Sequence, residues 1–324
     1  MMRDKNMKKL IRAGFCLVLL LIVLLVLVAL QHVLEKKQPD KKDSTETVTE
    51  SMDGRADDAT EAVLETETET ETETETEVAQ SGVVTLHNAM IENVEGLDNT
   101  SQGWGMGPTR DEFNRPVDAL NYEEKFAPYS VDFIKNTEEK VVYLTFDEGY
   151  EYGQTESILN TLKEKGVTAT FFVTKPYAEA DPELVQRMID EGHVLGNHSV
   201  THPSKGLPSQ TLDQQKNEVM GNHEYIKETF GYDMYLFRYP TGRFSEQSLA
   251  MVNNCNYKSV FWSFAYLDYD VNNQPDQTAS LAKLKERLHP GAIYLLHAES
   301  STNAAILGDF IDAAKAAGYE FGTL

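Results

Sequence analysis

Thr145-Phe146-Asp147-Glu148-Gly149 closes an apolar run that begins at Val141, and His198-Ser199-Val200-Thr201-His202-Pro203 follows further along the chain. Two carboxylates and two imidazoles thus stand at the ends of two predicted strands. Two histidines with one carboxylate leave coordination positions open for water and substrate, the pattern of a hydrolytic metal site. A spare carboxylate beside such a site could serve as a general base. His198 and His202 are four apart, so one helical turn between them would put both rings on one face. Pro203 disfavours helix at His202 and should stop that turn. The competing reading is a pair of hydrogen-bonded loop histidines. For Asp147 and Glu148 it is a solvated acidic strand end, against which stands the fully apolar strand before them. Adjacent residues of a strand point to opposite faces, and Gly149 is the residue that could turn the chain and bring both into one pocket.

Short apolar strands alternating with longer helices must position these groups. Strands are predicted at 141–146, 168–173, 194–196, 234–237, 259–262 and 292–296. Helices are predicted at 155–165, 182–191, 209–230, 245–253, 278–288 and 304–317, with Gly166, Gly192 and Gly231 ending the first three. This alternation implies a parallel sheet with crossover helices. About seven units in so short a span suit a small or distorted (β/α) barrel, with its chemistry at the C-terminal ends of the strands. Asp147, Glu148, His198, Arg238, Asp268 and His297 all follow predicted strands. His193 and His223 read as structural, Cys255 as a small buried apolar residue, and Trp262 as either core or groove lining.

The chain has 324 residues and a formal charge of −23, which argues against nucleic acid as a partner. Much of the acidity lies in the Thr/Glu alternation from Glu65 to Glu77. Like charges without apolar residues cannot bury enough surface to order themselves, so 31–82 is expected to be a disordered linker. Residues 11–30 are almost wholly apolar apart from Arg12 near their start, and Arg3, Lys5, Lys8 and Lys9 precede them. Twenty residues of helix rise about 30 Å, the thickness of a bilayer core. An uncleaved signal anchor is preferred over a cleaved signal peptide, since the run is long and no A-x-A site follows it. Residues 1–10 would be a cytoplasmic tail and the remainder would lie outside the cell membrane. Cys16 and Cys255 are the two cysteines, and no disulfide between them is expected. Residues 83–138, rich in Gly, Pro, Asn and aromatics, are expected to wrap as an N-terminal arm around a domain at 139–324, with Trp104 packed against it.

T-F-D-E-G, H-S-V-T-H-P, R-Y-P-T-G (238–242), W-S-F-A-Y-L-D-Y (262–269) and L-L-H (295–297) occur in the order of the polysaccharide deacetylase motifs. The region from Glu139 onwards therefore resembles the NodB homology domain. Gly103-Trp104-Gly105 and Glu148-Gly149-Tyr150-Glu151 look like the branch that makes muramic δ-lactam in peptidoglycan. The resemblance implies Asp147 as general base and Arg238 as its ion-pair partner. It implies His297 as general acid, oriented by Asp268, and the backbone N–H of Thr241 as an oxyanion donor. His198, His202 and Glu148 would hold a divalent metal, zinc foremost, with cobalt, manganese or nickel as other candidates. Two positions depart from the family pattern: Glu148 stands where Asp is usual, and Thr241 where an aromatic residue is usual. The implied substrate is peptidoglycan, N-acetylmuramic acid in particular. Deacetylation of other N-acetylglucosamine polymers or of xylan, and a non-catalytic wall-binding domain, are the alternatives.

Overall fold

A computed structural model describes residues 86–324. The expected cytoplasmic tail, the membrane span at 11–30 and the linker at 31–82 lie outside the described residues. Among the described residues no helix is long and apolar enough to cross a membrane.

In chain order the strands are β1 (Gln102–Gly103), β2 (Val131–Asp132), β3 (Val141–Glu148), β4 (Thr170–Val173), β5 (Val194–Asn197), β6 (Leu236–Phe237), β7 (Arg243–Phe244), β8 (Lys258–Val260), β9 (Ala292–His297) and β10 (Glu320–Gly322). The helices are α1 (Val117–Phe126), α2 (Thr155–Lys165), α3 (Lys175–Ala180), α4 (Pro182–Asp190), α5 (Leu212–Phe230), α6 (Glu246–Asn254), α7 (Gln277–Glu286) and α8 (Ser301–Ala316). Eight strands form one curled sheet, all paired in parallel. The order runs β2-β8-β6-β5-β4-β3-β9, and β10 pairs with the start of β3. A single bridge between Phe264 and Tyr294 joins the chain after β8 to β9, so the curl nearly closes into a (β/α) barrel.

Local chemistry explains the element ends. Gly166 takes φ 60° and Gly231 φ 67°, the left-handed conformation that closes α2 and α5. Thr211 and Gln214 form a capping box at the start of α5, and Ser245 and Ser248 do so at α6. In the sheet, a period of two sorts the side chains. Val142, Leu144 and Phe146 join the core beneath the helices, whereas Phe172, Leu236, Val260 and Ile293 form a separate apolar floor with Tyr143 against it.

The arm is more than a wrapping. Its strand β2 completes the sheet beside β8, and β1 pairs antiparallel with β7. Trp104 donates from Nε1 to the carbonyl of Trp262 at 2.9 Å and packs on Phe133 at 4.6 Å. Phe133 in turn stacks on Phe261 at 4.5 Å.

Candidate active site

The strand ends on the floor side meet in a cavity of about 840 Å³, lined by Asp147, His198, His202, Thr241, Trp262 and His297 among others. Parity decides which side chains reach it. Tyr143, Thr145 and Asp147 share one face of β3, and Asp147 is the register partner of Phe172 on β4 and of His297 on β9. Arg238 lies two residues beyond Leu236 of the floor, and His297 two beyond Leu295, which itself lines the cavity.

Arg238 is fully buried. Its Nη1 donates to Asp147 Oδ1 at 2.8 Å and to Thr145 Oγ1 at 2.7 Å; Nε donates to the Val260 carbonyl and Nη2 to that of Phe261. The guanidinium lies 4.1 Å over the Phe172 ring. Burial works against a charge on Asp147, but Arg238, His198 and His297 outweigh it and hold the carboxyl below its usual range. That favours the ionised form of Asp147, whose Oδ2 lies 3.5 Å from His198 Nε2.

His297 is held by a separate partner. Asp268 is fully buried and receives His297 Nδ1–H on Oδ1 at 2.7 Å and the His297 backbone N–H on Oδ2 at 3.0 Å. Burial alone would lower the imidazole, but the hydrogen bond and charge of Asp268 raise it to about 9. Near neutral pH His297 carries a proton, and its Nδ1 is committed to Asp268. Nε2 is the atom left for substrate.

His198 Nδ1 bonds the Arg238 carbonyl at 2.9 Å, which makes Nδ1 the donor and leaves a lone pair on Nε2. Burial lowers His198 to about 4 and also lowers His202, so both rings are neutral. Their ring centroids are 4.8 Å apart. The expected helical turn between them is absent: Ser199 and His202 take φ 76° and 48°, and the His202 N–H bonds Ser199 Oγ at 3.0 Å. A tight loop brings the rings together instead.

Thr241 lines the cavity with φ 59° and ψ 10°, an uncommon left-handed conformation for a β-branched residue. Gly242 follows at φ 63°, and a Cβ there would lie 2.6 Å from Trp262 Cη2. The turn is thereby pressed against the indole. Trp262 lines the cavity as well as packing against both apolar clusters.

The polysaccharide deacetylase family matches residues 134–260. The chain is 40% identical over 232 residues to peptidoglycan-N-acetylmuramic acid deacetylase PdaA of Bacillus subtilis, covering 71% of this chain and 87% of that protein. The chain belongs to the polysaccharide deacetylase family. Peptidoglycan-N-acetylglucosamine deacetylase of Bacillus cereus is 33% identical over 53% of this chain and 60% of its own length. The structure of Bacillus subtilis PdaA, a family 4 carbohydrate esterase, superposes with TM-score 0.66 at 38% identity, covering 70% of this chain and 96% of that one. The chain is accordingly a hydrolase, a polysaccharide N-deacetylase.

This family member departs from expectation at Glu148. Strand β3 runs through Glu148 rather than turning at Gly149, so the side chain continues the helix-facing row of Val142, Leu144 and Phe146. It is fully buried, is not among the cavity-lining residues, and neither carboxyl oxygen has a hydrogen-bond partner. Burial, followed by the charges of Glu299 and Glu151, raises it well above the usual carboxyl range. No group of three metal-ligating side chains converges among the described residues. The two imidazoles thus meet in the cavity, whereas Glu148 is not among its lining residues.

His193 and His223 have structural partners away from the cavity. His193 Nδ1 accepts the Ala169 N–H at 3.1 Å, and His223 Nδ1 bonds the Tyr257 hydroxyl at 2.7 Å. Cys255 is a free thiol and only partly buried. Two neighbours of the Asp268–His297 pair, Glu299 in the cavity wall and Asn303 beside Asp268, lie outside the motif residues singled out in the sequence.

Proposed function

We propose that the chain removes N-acetyl groups from peptidoglycan amino sugars, with N-acetylmuramic acid as the preferred residue, and that the freed amine then condenses with the lactyl carboxyl group, with loss of water, to give the δ-lactam. The observation that carries this is that Asp147 and His297, register partners on adjacent strands, both line one cavity and are each bonded to a separate buried partner, Arg238 and Asp268. An amide needs three things for hydrolysis: an activated water, a stabilised oxyanion and a protonated leaving nitrogen.

Asp147 takes a proton from the attacking water. Arg238 keeps that carboxylate charged and fixed. The carbonyl oxygen becomes an oxyanion, to which the backbone N–H of Thr241 donates. His297 Nε2 then delivers its proton to the nitrogen as the C–N bond breaks, releasing acetate and a free amine. The exposed rings of Tyr150 and Tyr269 and the side chain of Leu267, all on the cavity wall, suit the apolar faces of a sugar. His198 and His202 remain the candidate ligands for the divalent ion that the family resemblance implies, and Glu148 is not positioned to join them.

The apolar run at 11–30 and the basic residues before it support a cell-membrane anchor with the deacetylase domain outside. An acidic linker at 31–82 would let the domain reach the wall. Similarity to the muramic acid deacetylase of Bacillus subtilis is greater in identity and coverage than to the glucosamine deacetylase of Bacillus cereus, which favours the muramic substrate. The test incubates the full chain with peptidoglycan glycan strands that carry stem-free muramic residues and assigns the site of acetyl loss by tandem mass spectrometry. Loss from muramic residues supports the proposal; loss confined to glucosamine residues contradicts its substrate.

A further inference from the structure

Asn303 stands in the first turn of α8, where its backbone N–H bonds the helix-capping Ser300 Oγ at 3.1 Å. Its side chain is buried and turned to the acid half of the site. Nδ2 donates to Asp268 Oδ2 at 2.6 Å and to the His297 carbonyl at 3.0 Å. Both partners are pure acceptors, so the amide orientation is dictated by its surroundings. Oδ1 receives the hydroxyl of Tyr266, a residue of the cavity wall. One side chain thus ties together both halves of the Asp268–His297 pair and a residue that faces substrate.

We propose that Asn303 is a positioning residue for the general acid. Asp268 has two oxygens: His297 Nδ1–H takes Oδ1, while Asn303 and the His297 backbone share Oδ2. Without Asn303 the carboxylate can rotate about its Cβ–Cγ bond and the imidazole can swing with it. The free Nε2 then loses its aim at the leaving nitrogen. The second donor also takes up part of the carboxylate charge, so that Asp268 does not hold the proton of His297 too firmly for transfer. No bond to substrate is involved, and Asn303 acts only through His297.

This rests on the deacetylase mechanism above, and leaving-group chemistry separates the two. An amide nitrogen must be protonated to depart, whereas a nitrophenolate leaves without an acid. N303L, close in shape but without polar atoms, and N303S, smaller and able to admit water, are compared with wild type. The substrates are the stem-free glycan and 4-nitrophenyl acetate, under identical buffer and metal supply. On the glycan, kcat is expected to fall by about tenfold or more with KM within about threefold, a share of the general acid's usual contribution. On 4-nitrophenyl acetate both variants are expected to stay within about threefold of wild type. Equal losses on both substrates in a folded variant would show a merely structural role, and unchanged glycan turnover would remove the role altogether. A wild-type enzyme that hydrolyses the aryl ester but never the glycan would overturn the functional proposal itself.

Discussion

Asp147 and His297 are register partners on adjacent parallel strands, β3 and β9. The backbones that carry the proposed base and acid are therefore held about one interstrand spacing apart, some 4.8 Å. Each is charged by a different buried partner, Arg238 for the base and Asp268 for the acid. Separate partners let one site hold opposite protonation states at the same pH.

The pH profile follows from this division. Asp147 lies below the ordinary carboxyl range and His297 at about 9, so activity should hold through neutral pH and fall as pH rises through about 9. D268N removes the charge that chiefly raises His297 and leaves Asp147 and Glu299 to raise it against the burial that lowers it. Its alkaline limb is expected clearly below that of wild type. A profile in D268N that still falls near the wild-type limb would show that another group is the acid. The same pair links stability to pH. Because His297 is raised above its unfolded value, its stabilisation is complete below that value and is lost as pH rises through about 9.

Glu148 gives an opposite expectation to that of a metal ligand. Its carboxyl is buried without partners and raised well above the usual range, so its charged form opposes folding. E148Q should be more stable than wild type at neutral pH, with the difference shrinking below the unfolded carboxyl value as both side chains become neutral. Its deacetylase activity should stay within about threefold of wild type, since the group is outside the cavity. A loss of about a hundredfold, the scale of an essential group, would place Glu148 in the reaction.

Breaking the buried ion pair should cost stability as well as activity. R238M leaves Asp147 as an uncompensated buried carboxylate, a change worth about 3–5 kcal/mol. Urea unfolding near neutral pH measures it, and the deficit should narrow in acid as Asp147 protonates. A variant as stable as wild type would mean that the pair is not closed in solution.

The arm is expected to be integral to the domain. Trp104 bonds Trp262 and packs on Tyr122, Phe133 and Phe261. W104A should destabilise by about 3 kcal/mol, at the lower end for a large aromatic because the ring is only partly buried. Proteolysis that removes the arm from a still-folded domain would contradict this.

Much of the site was legible because strand ends carry the chemistry of a (β/α) barrel and the motifs sit at those ends. Strand placement brings Asp147, Arg238 and His297 to strand ends at one cavity, whereas their proposed roles, and that of Asp268, come from the motif resemblance. Glu148 falls on the row of Val142, Leu144 and Phe146 because β3 runs through it without the turn that Gly149 permits, as period-two parity dictates. The His198–His202 loop depends on left-handed residues that no helical spacing predicts. Strand β2 is only two residues long, too short to show a period, so the arm's place in the sheet was invisible. Asn303 lies in a helix whose apolar pattern hides a polar contact made through tertiary structure.

The most direct measurement is acetate release by wild type, D147N and H297Q from stem-free glycan strands, alongside hydrolysis of 4-nitrophenyl acetate. D147N should lose both activities by about a hundredfold or more, because both need an activated water. H297Q should lose the amide reaction by a similar factor and keep most of the ester reaction. Full amide turnover in D147N, or equal loss of both reactions in H297Q, would contradict the assignment of base and acid.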